Sequence, residues 1–207
     1  MESNINSELK EIKFIGFWHR VIIQLIDFIT FIPIVYLYNL SVNLSINMES
    51  IIPYVIYWII VYLYFIIIIS YFGGTPGKLI MKVRITDRNG GNLSILNSIK
   101  RISVYLLFSI VQILIFQQGI HESVDGQQIS KYINNYSGKY EVFNVLVGLL
   151  FIIDSVFIAF NKQKRAIHDF WANSFVIHKD SRELMKVGHR EHRDVSGNNR
   201  NTEGDIK

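Results

Sequence analysis

The sequence of 207 residues contains no cysteine, which excludes disulfide bonds, thiolate metal sites and cysteine nucleophiles. Charge is scarce in much of the first half. Between Phe31 and Lys78, Glu49 is the one ionisable side chain other than tyrosine. Half of all residues are hydrophobic although 18% are charged, so the charges are concentrated elsewhere. With a net charge of +4, the placement of the positive residues is more informative than their sum.

Four apolar stretches are long enough to be membrane spans, because a helix needs roughly 20 mostly apolar residues to cross a hydrocarbon core of about 30 Å. We predict an all-α membrane protein with transmembrane helices at about 17–40, 51–72, 101–118 and 142–160. The alternative is a soluble protein with buried helices, but the second stretch has no charge and no polar face. The third stretch is the shortest, and a re-entrant or interfacial helix remains an alternative there.

The Lys and Arg residues alternate between the predicted connections as the positive-inside rule requires. Three precede or open the first span, none lies in the 41–50 connection, and two lie in the 117–141 connection. The connection between the second and third spans has six, Lys78, Lys82, Arg84, Arg88, Lys100 and Arg101, and ten follow Phe160. This pattern predicts that both termini lie in the cytoplasm. It also supports the third span, since without that span a basic segment would lie outside.

Polar segments flank the predicted transmembrane domain, which we place at residues 16–178. Residues 1–15 are predicted to be a cytoplasmic segment, and the first span is too long and too charged for a cleaved signal peptide. Residues 179–207 are polar and rich in Arg, Asn, Gly and Asp, which predicts a disordered cytoplasmic tail. In this tail His189 and His192 have the spacing of helical metal ligands, but no further ligand lies nearby, so we expect no metal site.

Several polar side chains interrupt the predicted spans, where an ionisable group costs about 2.5–3.5 kcal/mol at mid-helix. In the first span Arg20, Gln24 and Asp27 share one helical face, which we expect to point toward other helices. Asp27 is predicted near mid-membrane, and Asp154 about 9 Å from the end of the fourth span. The two carboxylates therefore predict a polar patch that the first and fourth helices share.

This patch has two interpretations, which the sequence leaves open. In the structural one, Asp27 and Asp154 bond to Arg20, Gln24 or Gln112 and set the packing of the helices. In the functional one, Asp27, Asp154 and Gln24 form a pathway for protons or cations. Because four helices make a thin bundle, transport would require a dimer or a larger assembly.

The stretch Gly73 to Asp87, GGTPGKLIMKVRITD, opens with glycines that invite comparison with a phosphate-binding loop. Only three residues separate Gly73 from Gly77, Lys78 precedes Leu rather than Ser or Thr, and no strand comes before the loop. A phosphate loop is therefore excluded. We interpret the segment instead as the cytoplasmic end of the second helix, where proline prevents continuation. The residues of this cytoplasmic loop motif are Gly74, Thr75, Pro76, Gly77 and Lys78.

A short cytoplasmic hairpin is predicted next, between the second and third helices. Val83 and Ile85 alternate with polar residues, as do Leu93 and Ile95 after the turn signal at 89–91. An amphipathic helical start at 78–82 is the alternative. The sequence FVIH at 175–178 is predicted to return beside this hairpin, as a strand or as an interfacial segment.

Three blocks in this order resemble the RDD family of bacterial membrane proteins, named for one Arg and two Asp residues. The block GFWHRVIIQLID matches the family's Arg and first Asp at Arg20 and Asp27. The block GGTPGKLIMKVRITDRNG is similar to the family's Gly-x-Thr-Pro-Gly-Lys stretch, and KRAIHDFWANSFVI places the last Asp at Asp169. The long 117–141 connection and the hydrophilic tail depart from the family. The resemblance implies a small helical domain in the bacterial cytoplasmic membrane and, for some members, cation/proton antiport.

His168 and Asp169 follow the fourth span, so they are predicted at the cytoplasmic surface. Neighbouring helical residues point about 100° apart, and no Ser or Thr completes a hydrolase arrangement, so we expect no enzyme. Asp169 is expected to brace the fold by pairing with Arg84, Arg20 or Arg165, with His168 beside it.

These features predict a multi-pass, proton-coupled transporter, a cation/proton antiporter that uses buried carboxylates and no cofactor. The alternative is a non-catalytic assembly or partner-binding factor that acts through its basic cytoplasmic face. The expected partners are the lipid bilayer, a second copy of the chain or another membrane protein, and monovalent cations. No nucleic-acid partner is expected.

Overall fold

The computed structural model describes residues 12–126 and 128–187, most of which are helical. The helices are α1 (Phe17–Thr30), α2 (Ile32–Asn47), α3 (Ile52–Ile67), α4 (Pro76–Ile80), α5 (Ile95–His121), α6 (Ile129–Asn134), α7 (Glu141–Phe160) and α8 (Ile167–Trp171). A π-helical turn, Ile68–Phe72, extends α3. The two strands of this part of the chain are β1 (Val83–Thr86) and β2 (Phe175–His178).

Three helical runs in the described residues are long and apolar enough to cross a membrane, by length and composition. They are Ile52–Ile80, Ile95–His121 and Glu141–Phe160, which correspond to the second, third and fourth predicted spans. The first predicted span is not one straight helix, because α1 and α2 meet at a bend of 58°. Pro33 causes this break: it lies in the first turn of α2, and its ring and missing N–H prevent a helix from continuing out of α1. The chain thus has three candidate spans, or four if the bent pair is one span.

The bundle is apolar outside and partly charged inside. Trp18, Phe28 and Phe160 expose 75%, 72% and 83% of their surface, whereas Asp27 and Asp154 expose 4% and 5%. An apolar exterior of this extent is unfavourable in water and favourable against lipid tails. The inverted distribution supports a membrane protein independently of helix length.

The predicted hairpin between the second and third spans does not form. Helix α5 begins at Ile95 rather than near 101, with Ser94 as its N-cap, whose hydroxyl accepts a hydrogen bond from the Asn97 N–H at 3.2 Å. Leu93 is a buried core residue. β1 pairs instead with β2, antiparallel, with Val83 opposite His178. The return of 175–178 as a strand is therefore confirmed. The alternative of a helical start at 78–82 is met in part, because α4 covers Pro76–Ile80.

One end of the bundle carries a platform, formed by α4, β1, α8, β2 and residues 181–187. β2 lies between β1 and the N-terminal segment, where Phe14 forms a bridge with Ile177. Residues 181–187 are helical, and the Arg182 Nε donates to the Gly90 carbonyl at 2.8 Å. The prediction of a disordered tail is thus wrong for 181–187. Its remainder, 188–207, and the N-terminal residues 1–11 lie outside the described residues.

A polar contact joins α5 and α7 within their apolar lengths: Gln112 Nε2 donates to Asn144 Oδ1 at 3.0 Å. We expect Gln112→Leu to lower the free energy of unfolding by about 0.6 kcal/mol, the average for interhelical hydrogen bonds in membranes. Thermal unfolding in detergent would measure this loss, with the exposed Gln163→Leu as control. A loss of several kcal/mol would contradict the minor role assigned to this contact.

Candidate functional site

Asp169, on α8 of the platform, is fully buried and is the centre of an ion-pair cluster. Its Oδ2 accepts from Arg20 Nη1 at 2.8 Å, and its Oδ1 accepts from Arg101 Nη1. The Arg101 Nη1 also donates to the Ser174 hydroxyl. We call Asp169, Arg20, Arg101 and Ser174 the Asp169 cluster; it ties α1, α5, α8 and the start of β2 together.

Backbone groups complete the cluster. Asp169 Oδ2 also accepts from the Ala166 N–H at 3.0 Å, closing the first turn of α8. Arg20 Nη2 donates to the Lys164 carbonyl at 2.6 Å. Burial alone would raise the pKa of Asp169, but the charges of Arg101, His168 and Arg20 hold it well below its usual value. The carboxylate therefore stays ionised as the counter-charge to two guanidinium groups.

Of the three expected partners of Asp169, only Arg20 pairs with its carboxylate. Arg165 donates to the Asp169 and Ser174 carbonyls and stacks on Phe170 and Phe175, with its guanidinium carbon 4.0 and 4.3 Å from the ring centres. Arg84, on β1, donates to the Val83 carbonyl instead. The assignment of Arg84 to an ion pair with Asp169 is therefore wrong, because β1 is held in the sheet and not against α8.

Asp154, on α7, pairs with His168. Its Oδ1 accepts from the His168 N–H at 2.9 Å, and its Oδ2 lies 2.6 Å from His168 Nδ1. The other ring nitrogen, Nε2, lies 3.4 Å from Asp169 Oδ1. One imidazole thus lies between the carboxylate of α7, a candidate membrane span, and the carboxylate of the platform.

Asp27 contacts the loop motif at 74–78 rather than another long helix of the bundle. Its Oδ2 accepts from the Thr75 hydroxyl at 2.6 Å and its Oδ1 from the Gly77 N–H at 2.6 Å. Lys78 Nζ lies 4.0 Å from Asp27 Oδ2 and donates to Thr75 Oγ1 at 3.1 Å. The structural interpretation of the polar patch therefore names the wrong partners. Asp27 and Asp154 bond to Thr75, Gly77 and His168, and not to Arg20, Gln24 or Gln112.

The loop geometry explains the residue types of the GGTPGK motif. Gly73 ends the π-helical turn with a left-handed φ of 74°, and Gly74 has a φ of 155°. Pro76 starts α4, where its missing N–H costs nothing. At Gly77 the reason is space: a Cβ would lie 2.7 Å from both Asp27 Oδ1 and the Ile23 carbonyl oxygen. The loop is built to bring a backbone N–H against a carboxylate.

A cavity of about 410 Å³ lies between the Asp27 and Asp154 sites. Its wall includes the polar side chains Arg20, Gln24, Asp27, Lys78, Arg101, Asp154 and His168, together with aromatic residues of α1 and α3. Asp27 of α1 and Asp154 of α7 both line this cavity, so the two predicted carboxylates are brought to one place. Each carboxylate has its own partners, and the cavity lies between them.

Two residues of the Asp169 cluster were not predicted. The sequence marks Arg101 only as a positive charge before the third span, whereas the longer α5 places it inside the helix and 5% exposed. The sequence signal that could have indicated this position is Ser94, a favourable N-cap residue. A helix that begins after Ser94 has Arg101 about two turns inside it. No sequence pattern points to Ser174, because it becomes a partner only where the connection between α8 and β2 meets Arg101 of α5. The histidines of the tail, His189 and His192, lie outside the described residues.

The sequence model of the RDD family matches residues 14–173, a range that includes Arg20, Asp27 and Asp169. In comparisons with curated proteins and with solved structures, no match was found. The matched range covers far more than half of the 207 residues. Residues of all three sequence blocks meet at one cavity and the platform beside it. The chain belongs to the RDD family.

Proposed function

We propose that the protein is a proton-coupled transporter of a small monovalent cation, with several passes through the bacterial cytoplasmic membrane and both termini in the cytoplasm. The observation that carries this proposal is the position of Asp27 in the wall of a cavity that several other charged side chains also line, within a bundle whose exterior is apolar. Intramembrane carboxylates that face a cavity are typical of ion and proton pathways.

The chemistry at Asp27 favours a cation. Arg20 is committed to Asp169, so the cationic group near Asp27 is the Lys78 ammonium at 4.0 Å, beyond direct hydrogen-bond contact. The Asp27 carboxylate and the Thr75 hydroxyl offer neighbouring oxygens, which are the ligand type that coordinates Na⁺ at membrane sites. A cation that replaced the ammonium would leave the charge of the site unchanged.

Asp154 and Gln24 complete the proposed pathway, because both line the same cavity. The Asp154–His168 pair provides a second group in the cavity wall that can exchange protons with it. Because the bundle is thin and exposes apolar side chains on all of its long helices, we propose that a dimer or larger assembly carries out transport.

Proteoliposomes test this function directly. A pH-sensitive dye inside the vesicles would report proton movement while Na⁺, K⁺ and Li⁺ are added in turn. We expect wild-type protein to give a cation-dependent pH change and Asp27→Asn to abolish it, because the amide keeps the shape but removes the charge. Asp180→Asn is the matched control, since the Asp180 side chain is 81% exposed on the platform side. Correctly inserted wild-type protein that responds to none of the three cations would refute the proposal.

A second candidate function is a membrane assembly factor that binds a partner through its basic platform. It is favoured by the ordered sheet, which presents Lys82, Arg84 and Arg88 on or next to β1. Charge reversal at these three positions should then release a co-purifying membrane protein, whereas Asp27→Asn should not. The opposite pattern would favour the transporter.

A further inference from the structure

A continuous chain of hydrogen bonds links Lys78 to Asp27. The Lys78 ammonium donates to Thr75 Oγ1 at 3.1 Å, and the Thr75 hydroxyl in turn donates to Asp27 Oδ2 at 2.6 Å. The Lys78 side chain is 18% exposed and lines the cavity, so its nitrogen faces both the carboxylate and the cavity interior. The loop therefore places a tethered cation at the oxygens to which a free cation would bind.

Lys78 differs from the other cations of the cavity wall. Arg20 and Arg101 each donate to Asp169, and a guanidinium group keeps its charge at any pH the protein meets. A lysine ammonium can lose its proton when its surroundings change. Of the Lys and Arg side chains in the wall, Lys78 is thus the one that can alternate between charged and neutral.

We propose that Lys78 is the group that carries the exchanged proton. This inference rests on the proposed cation/proton exchange and specifies its mechanism. Without a bound cation, the ammonium is the counter-charge of Asp27. When a monovalent cation binds to Asp27 and Thr75, one Nζ–H bond of Lys78 breaks, the electron pair stays on nitrogen, and the proton passes to water in the cavity. One positive charge replaces another, so one cation is exchanged for one proton.

The groups that face Lys78 are consistent with this role. The charged and titratable groups that line the cavity with it are Asp27 and Arg20 from α1, Tyr62 from α3, Arg101 and Tyr105 from α5, Asp154 from α7 and His168 from α8. The charge of Asp169 also acts on Lys78. Asp154 is already paired with His168, and Asp169 with two arginines. Asp27 is therefore the carboxylate that depends on Lys78 for its counter-charge. A cation that binds to Asp27 takes over this counter-charge and directly changes the electrostatic surroundings of the Lys78 ammonium.

Two substitutions separate the charge of Lys78 from its ability to release a proton. Lys78→Arg keeps a permanent charge, and we expect cation/proton exchange in proteoliposomes to fall at least tenfold. Lys78→Met removes the competing ammonium, and we expect the cation to move down its own gradient without a pH change. Lys186→Met, on the exposed part of the platform, is the control and should exchange as wild type does.

A binding measurement in detergent gives a second readout that does not depend on transport. Cation-induced thermal stabilisation is followed as a function of pH with Na⁺, K⁺ and Li⁺. Competition with one proton makes the apparent Kd of wild type rise about tenfold per pH unit as pH falls through the range in which Lys78 becomes protonated. In Lys78→Met we expect tighter binding with no such dependence.

The outcomes separate the two proposals. Wild-type protein that neither binds nor exchanges any of the three cations refutes the proposed function and this inference with it. If wild type exchanges cations, but Lys78→Arg exchanges equally well or Lys78→Met still moves protons, the inference about Lys78 is wrong. The proton would then be carried by Asp27 itself or by the Asp154–His168 pair.

Discussion

Asp169→Asn is expected to destabilise the protein by about 3–5 kcal/mol, the usual cost of removing one partner from a buried ion pair. For a domain of this size the loss lowers Tm by roughly 6–20 °C. The amide leaves Arg20 and Arg101 without their shared counter-charge, in a position where Asp169 is fully buried. Thermal unfolding of the detergent-solubilised protein measures the change.

The control for this prediction is Asp180→Asn, in which an exposed carboxylate is lost. We expect it to change stability by less than about 0.5 kcal/mol. If Asp169→Asn unfolds at the same temperature as wild type, the Asp169 cluster is not what holds α1, α5 and the platform together.

The pH dependence of the same cluster follows from its electrostatics. The pKa of Asp169 is lower in the folded protein than in the unfolded chain, where an aspartate titrates near about 3.9. The contribution of Asp169 to stability is therefore complete above that value and decreases as the pH falls below it. Because the guanidinium groups of Arg20 and Arg101 keep their charge, the destabilisation of Asp169→Asn relative to wild type should persist throughout roughly pH 5 to 8. A difference that disappeared within this range would show that another group compensates for the charge.

Gly77→Ala is expected to have the second large effect, because a Cβ at this position has no space. It would lie 2.7 Å from a carboxylate oxygen of Asp27 and 2.7 Å from the Ile23 carbonyl, both on α1. The loop must shift away, which breaks the hydrogen bond from the Gly77 N–H to Asp27. We expect a loss of about 1–3 kcal/mol from overpacking, together with loss of the cation response in proteoliposomes.

A glycine on α7 provides the matched control. A Cβ at Gly148 would have no atom within 4 Å, so Gly148→Ala introduces the same methyl group without a clash. Alanine is favoured over glycine within a helix by about 1 kcal/mol, so stability should rise or stay unchanged. Wild-type stability and cation response in Gly77→Ala would contradict the close contact between the loop and α1.

Much of the membrane domain follows from local composition. Apolar length alone predicted α3, α5 and α7, since a run of apolar residues must be buried in lipid or protein wherever it lies in the chain. The break after Thr30 was also encoded locally, by Pro33, but was missed because the run of apolar residues continues across it. The family blocks likewise identified Arg20, Asp27 and Asp169 by sequence order.

The pairing of charges was decided only by the tertiary structure. Arg20 and Asp169 are 149 residues apart, and Arg101 and Asp169 are 68 apart. Helical periodicity assigns a side chain to a face, but it does not say which distant face packs against it. The same limit applies to β1, whose partner is β2 rather than the adjacent 93–95, because strand pairing is set by the packing of elements that the chain order does not fix. Residue types alone thus determined that buried charges must find partners, and the packing of α1, α5 and α8 determined which partners they found.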